Sequence, residues 1–100
     1  MVSQDVMKQK QSALSMKKLF PDVEEIYFSK SGGHTNGAGN WYIGADIKIA
    51  DEWHGVGAAT DGIGYTDETF PERKIHIANQ EISETQIVKV VYSDGSMEIL

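Results

Sequence analysis

Apolar and polar residues alternate without a break from Trp41 to Ala50. Trp41, Ile43, Ala45, Ile47 and Ile49 fall on one side, and Tyr42, Gly44, Asp46, Lys48 and Ala50 on the other. A period of two over ten residues predicts a strand of a sheet that is buried on one face only. Residues 23–30 repeat the pattern, with Ile26 and Phe28 opposite Glu25, Tyr27 and Ser29. Near the end of the chain, residues 86–92 and 97–100 are two β-branched or alternating runs around Asp94-Gly95. That dipeptide suits the two central positions of a tight hairpin turn, where positive φ is needed. Residues 3–20 follow a different period. Val6/Met7, Ala13/Leu14 and Phe20 recur near every seventh position, and Met16 and Leu19 widen the stripe, which predicts an amphipathic helix interrupted by Lys10 and Lys17. Ser3 is placed to cap it. Asp5 and the Lys17-Lys18 pair suit the two ends of its dipole, and Pro21 stops it.

The remaining segments are less regular. Residues 31–40 hold four glycines and read as a long flexible connection. Residues 54–59 read as a strand weakened by Gly55 and Gly57. Residues 61–64 read as turn, 65–73 as loop, 74–78 as a short strand with Ile75 and Ile77 inward, and 79–85 as a polar loop or single helical turn. The order is one helix followed by four to six antiparallel strands. One helix can cover one face of such a sheet, so the expectation is a single α+β domain in two layers spanning residues 1–100.

Two stretches carry a family resemblance. The run Leu19-Phe20-Pro21-Asp22-Val23-Glu24-Glu25-Ile26-Tyr27-Phe28, followed by Gly39-Asn40-Trp41-Tyr42-Ile43-Gly44, is similar to small uncharacterised lipoprotein-type domains of Gram-positive bacteria, and the helix-then-meander order resembles the cystatin-like fold. The resemblance implies an extracellular, membrane-tethered setting if an upstream leader was removed, and otherwise leaves a cytoplasmic one. It does not imply protease inhibition, because the glutamine-valine-valine-alanine-glycine motif of inhibitory cystatins is absent.

Composition narrows the chemistry. The chain has 100 residues, no cysteine and a net charge of −6. Disulfides, thiolate metal sites and cysteine nucleophiles are therefore excluded. The charge is uneven: residues 1–20 carry four lysines against Asp5, whereas residues 21–100 carry fourteen acids against five bases. So acidic a body does not suit nucleic acid, whose binders need a basic surface. No apolar run reaches the ~20 residues that cross a bilayer as a helix. The 32–39 glycine loop leads into a strand and lacks a lysine-serine or lysine-threonine ending, so it is not a phosphate cradle. Asp61 to Glu68 misses the calcium-loop spacing, with Ile63 and Tyr65 at liganding positions.

The candidate functional residues are aromatic and imidazole groups. Tyr27 and Tyr42 fall on the outward rows of their strands, and Trp53-His54 follows the acidic pair Asp51-Glu52. Period two puts Glu52 and His54 on one face and Asp51 and Trp53 on the other. Two donors on one face are fewer than the three protein ligands of a catalytic zinc site, and His34 would join them only if its loop folded back. His76 reads as a surface residue. No cofactor is called for. Tyr27, His34, Tyr42, Trp53 and His54 are thus the expected binding residues of a non-enzymatic interaction module with a protein partner. An open sheet edge could also add a partner strand or pair two copies. Two alternatives remain at this point. One is a small enzyme or ligand-binding domain using Asp51, Glu52 and His54 in a helix–sheet cleft. The other is an acidic inhibitor or immunity-type protein steered to a basic partner.

Overall fold

The computed structural model describes residues 3–20, 22–66 and 87–100. A helix, α1 (Gln4–Leu19), packs on a sheet formed by β1 (Val23–Phe28), β2 (His34–Thr35), β3 (Trp41–Ile49), β4 (Glu52–Ala59), β5 (Gly62–Thr66), β6 (Lys89–Val91) and β7 (Met97–Ile99). The strand order is β5-β4-β3-β1-β6-β7, with β2 attached to the start of β3. This is the expected α+β architecture of one N-terminal helix on a sheet. Most neighbours are antiparallel, but β6 lies parallel to β1, with Ile26 opposite Val90, so the sheet is mixed. Residues 67–73 of the expected 65–73 loop, the stretch 74–78 with His76 and the 79–85 segment lie outside the described residues.

The inner rows follow the alternation. Ile26 pairs with Ile47, which pairs with His54; Phe28 pairs with Ala45, which pairs with Val56. Val88, Val90 and Tyr92 continue this surface, and Tyr92 stacks on Phe28 with ring centroids 6.2 Å apart. Each aliphatic side chain buried here contributes roughly 1.5–3 kcal/mol. Burial also pushes the Tyr92 phenol well above the ordinary tyrosine range, helped by its hydrogen bond to Glu98.

Three segments differ from their sequence reading. Residues 31–40 are no open connection: His34 and Thr35 fold back beside Tyr42 and Trp41, and the Asn36 side-chain oxygen accepts the Ala38 and Asn40 N–H groups in the turn. Residues 62–66 form a strand where a turn over 61–64 and a loop from 65 are expected, because Ile63 packs against the core beside β4. The last hairpin closes through the three residues Ser93, Asp94 and Gly95, with Ser96 bonded to Tyr92; only Gly95 has positive φ (+88°), so Asp94-Gly95 does not fill both centres of a two-residue turn. The two-residue turn occurs elsewhere. Ile49 pairs with Glu52, and Ala50 and Asp51 between them take φ of 52° and 64°.

The helix is capped as expected, with the Ser3 hydroxyl accepting the Val6 N–H at 3.1 Å. Its buried stripe is rotated from the apolar one. Val6, Ala13, Met16 and Phe20 are buried, but so are Gln9 and Ser12, while Met7 and Leu14 face solvent. Polar bonds explain the rotation. Ser15 donates to the Thr60 carbonyl at 2.9 Å, and Ser12 approaches the Gly62 carbonyl at 3.5 Å. At the other end the Gln9 amide donates to Asp5 Oδ2 (2.8 Å) and to Ser93 Oγ (2.7 Å), and its oxygen accepts the Ser93 N–H (2.9 Å). Asp5 also accepts the Gly33 N–H at 3.0 Å and the Trp41 indole N–H at 2.9 Å. Every buried polar atom of Gln9 is therefore satisfied, which makes its full burial tolerable.

Three outcomes are expected from this arrangement. A Cβ on Gly33 would collide with the Trp41 indole and stand 2.5 Å from Asp5 Oδ1. Gly33→Ala should thus cost roughly 2–3 kcal/mol and lower the thermal midpoint by at least about 8 °C, read by circular dichroism. Ala50 holds a conformation that costs an alanine about 1 kcal/mol, so Ala50→Asn should raise the midpoint by a few degrees; an unchanged or lower midpoint would contradict the turn geometry. Asp5 titrates below its ordinary value: burial raises it, but the hydrogen bonds from Gly33, Trp41 and Gln9 and the charge of Lys8 outweigh burial. A carboxyl depressed on folding stabilises the protein above its unfolded pKa and loses that contribution as pH falls through the folded one. The midpoint of the wild type should drop below about pH 4 more steeply than that of Asp5→Asn, which is less stable at neutral pH.

Candidate functional site

The face of the sheet away from α1 carries cross-strand rows set by the register. One row runs Trp53, Lys48, Glu25, Lys89, Ile99, and the next runs Gly55, Asp46, Tyr27, Val91, Met97. Tyr27 stands at the centre. The Trp53 ring meets it edge-on with centroids 5.3 Å apart, and Lys89 Nζ lies 5.5 Å from its centroid. The Tyr27 hydroxyl donates to Glu25 Oε1 at 3.2 Å. Glu25 also bridges two lysines, with Lys48 at 3.5 Å and Lys89 at 3.9 Å. Hydrogen bonding to Tyr27, with Glu25 adding to it, holds the Lys89 ammonium above the usual lysine range, so this cation stays charged at neutral pH.

Beside the aromatic pair two glycines lie on this face. Gly44 and Gly55 place no side chain over the backbone, leaving a shallow trough of about 650 Å³ lined also by Tyr27, Ser29, Lys30 and Asp46. A second hollow of about 510 Å³ opens between Tyr27, Asp46 and Trp53. Trp53 remains 49% exposed, so folding leaves half of a large apolar ring in water. Stacking surface, the lysines of this face and the Asp46 carboxylate beside a trough can hold a ligand by contact and charge.

The expected residues divide into three places. Tyr27 and Trp53 come together on this face. Tyr42 and His34 meet as a second pair at the β2–β3 hairpin, with centroids 5.8 Å apart. His54 is separate: it points to the helix side, pairs with Ile47 and is 2% exposed, so it does not belong to the outer surface. Glu52 follows it on the same side, as period two requires, with Oε2 3.9 Å from His54 Nε2. Asp51 turns instead toward Lys48 at 3.8 Å. His34 sits where β2 meets the start of β3, whereas Glu52 is opposite Ile49 at its end. Among the described residues no group of three histidine, aspartate or glutamate side chains could hold a metal. No described helix is long and apolar enough to cross a membrane.

Glu25, Lys48 and Lys89 were not among the expected residues. The alternation of Glu25 with Tyr27, and of Lys89 with Val91, holds the signal, but it can be read only once β6 is known to lie beside β1. Comparison with known proteins finds no family model that matches the chain, no similar curated protein and no similar solved structure.

Proposed function

We propose that this domain is a non-enzymatic binding module that engages a protein partner through the outer face centred on Tyr27 and Trp53. The observation that carries the reading is the Tyr27–Trp53 pair itself, held at 5.3 Å on the side that the core does not use. Two large rings left partly in water have no role in closing the core, and such rings dominate interface energies when a partner buries them. The neighbouring glycine-floored trough lets a partner approach the backbone closely, and Lys89 and Asp46 supply charges of both signs for orientation. Tyr42 and His34 extend the same surface toward the β2–β3 hairpin. The resemblance to lipoprotein-type domains supports a setting at the cell envelope.

The reading separates function from stability and so is directly testable. Trp53→Ala and Tyr27→Ala should each lower stability by no more than about 1–2 kcal/mol, because neither ring is fully buried. Binders selected from a displayed library on the wild-type domain should lose at least about tenfold in affinity to each variant, measured by biolayer interferometry. Selected binders that keep full affinity for both variants would remove this face from the recognition surface.

A further inference from the structure

The strand β7 lies at one end of the sheet, and among the described residues nothing pairs with its outer side. Its hydrogen-bonding phase is set by β6. Val88 and Leu100 exchange both backbone bonds, at 2.9 and 3.0 Å, and Tyr92 N–H bonds the Ser96 carbonyl at 2.8 Å. In an antiparallel pair, bonded and non-bonded positions alternate. Glu98 therefore also faces β6, opposite Val90, while Met97 and Ile99 direct their N–H and C=O groups away from the sheet. Among the described residues, four backbone groups along this edge have no strand partner.

The side chains on that edge are chemically divided. Met97 and Ile99 project to the outer face and are 58% and 55% exposed. Glu98 projects to the helix side, into a groove of about 580 Å³ between α1 and the last hairpin, lined by Val6, Met7, Lys10 and Tyr92. Its carboxylate accepts the Tyr92 hydroxyl at 2.7 Å and Lys10 at 3.1 Å. These two bonds hold it below the ordinary glutamate range, so it is ionised at neutral pH. The groove thus offers the apolar Val6 and Met7 beside a carboxylate that an incoming basic group would share with Lys10.

We propose that β7 is a strand-addition site for an extended segment of a partner protein, apolar opposite Met97 and Ile99 and carrying arginine or lysine opposite Glu98. The position opposite Glu98 would be a non-bonded pair, where facing side chains come closest. A long basic side chain lays its methylene stem on Val6 and Met7 and brings its charge to Glu98, as such side chains do at apolar surfaces with a polar end. The apolar neighbours on the partner cover Met97 and Ile99. A second copy of this chain fits less well: pairing β7 with itself in this register sets Glu98 against Glu98, and an inward charge on an edge strand is a known bar to self-pairing.

The test uses the full chain and short labelled peptides followed by fluorescence anisotropy. A capped peptide with a valine-arginine-valine centre should bind saturably, and the same peptide with glutamate in place of arginine should bind at least about tenfold more weakly. Glu98→Lys should reverse that order. Ile99→Pro removes the outward N–H and the Ile99 side chain but no bond to β6, so it should abolish binding while leaving the thermal midpoint within a few degrees. Trp53→Ala should leave peptide affinity unchanged, which keeps this site distinct from the outer-face reading. No saturable binding by the wild type, equal affinity for the two peptides, unchanged binding by Ile99→Pro, or loss on Trp53→Ala would each overturn the proposal. So would a wild-type dimer in sedimentation that Ile99→Pro dissolves, since the edge would then belong to a second copy.

Discussion

The Asp5 carboxylate ties the helix to three other parts of the chain. Through its own oxygens it holds Gly33 from the glycine loop and Trp41 from the start of β3, and through Gln9 it reaches Ser93 in the last hairpin. A charged acceptor is worth roughly twice a neutral one, and this one accepts three hydrogen bonds. The rest of the fold is arranged to satisfy it. Gly33 must lack a side chain for its N–H to come so close, and Trp41, packed against the core, must aim its indole N–H at the helix. The helix must present Gln9 to the sheet, which rotates Met7 and Leu14 into solvent. Removing Asp5 would strand Gln9 and Trp41 donors at partly buried positions, where an unsatisfied group costs about 1–3 kcal/mol.

Because that network and the aliphatic rows hold the inner layer together, the outer face is released from structural duty. Its charges and rings interact mainly with one another. Glu25 is shared between Lys48 and Lys89, and partly exposed ion pairs of this kind contribute little to stability. Their effect is positional: they fix Lys89 over Tyr27 and leave the Tyr27–Trp53 edge contact in one geometry. A surface ordered at little energetic gain to the fold is pre-organised, and pre-organisation lowers the entropy lost when a partner is bound.

Much of this was legible from residue order. The alternation in β3 places Ile43, Ala45, Ile47 and Ile49 inward with no further information, since a one-residue slip would expose all four. Ser3, Asp5 and Pro21 mark the helix because capping is local chemistry. What was not legible depended on partners far along the chain. Nothing in the apolar stripe marks Gln9 for burial until Ser93, 84 residues away, is placed beside it. The β3–β4 turn was hidden because alanine at Ala50 does not advertise positive φ, whereas Asp94-Gly95 advertises a two-residue turn that a three-residue loop replaces. Tyr27 could be assigned to an outward row and Trp53 only to the face opposite His54, and their contact follows from two successive registers, Tyr27 with Asp46 and Lys48 with Trp53. His54 shows the converse limit. Its period-two partner Glu52 was correctly placed, yet period alone does not say which side of the strand α1 covers.

The position of β6 links the two surfaces. Parallel pairing with β1 sets Lys89 opposite Glu25 and Val91 opposite Tyr27, which completes the outer cluster. The same strand fixes the phase of β7, and with it which backbone groups of Met97 and Ile99 face outward. A shift of β6 by one residue would exchange its inner and outer rows, moving Val90 out of the core and Lys89 into it. The buried row of Val88, Val90 and Tyr92 forbids that shift, since three apolar side chains would be exchanged for a charged and two less buried ones. Hydrophobic burial on the helix side therefore sets the register, and the register alone decides which chemistry appears on the far face and along the edge.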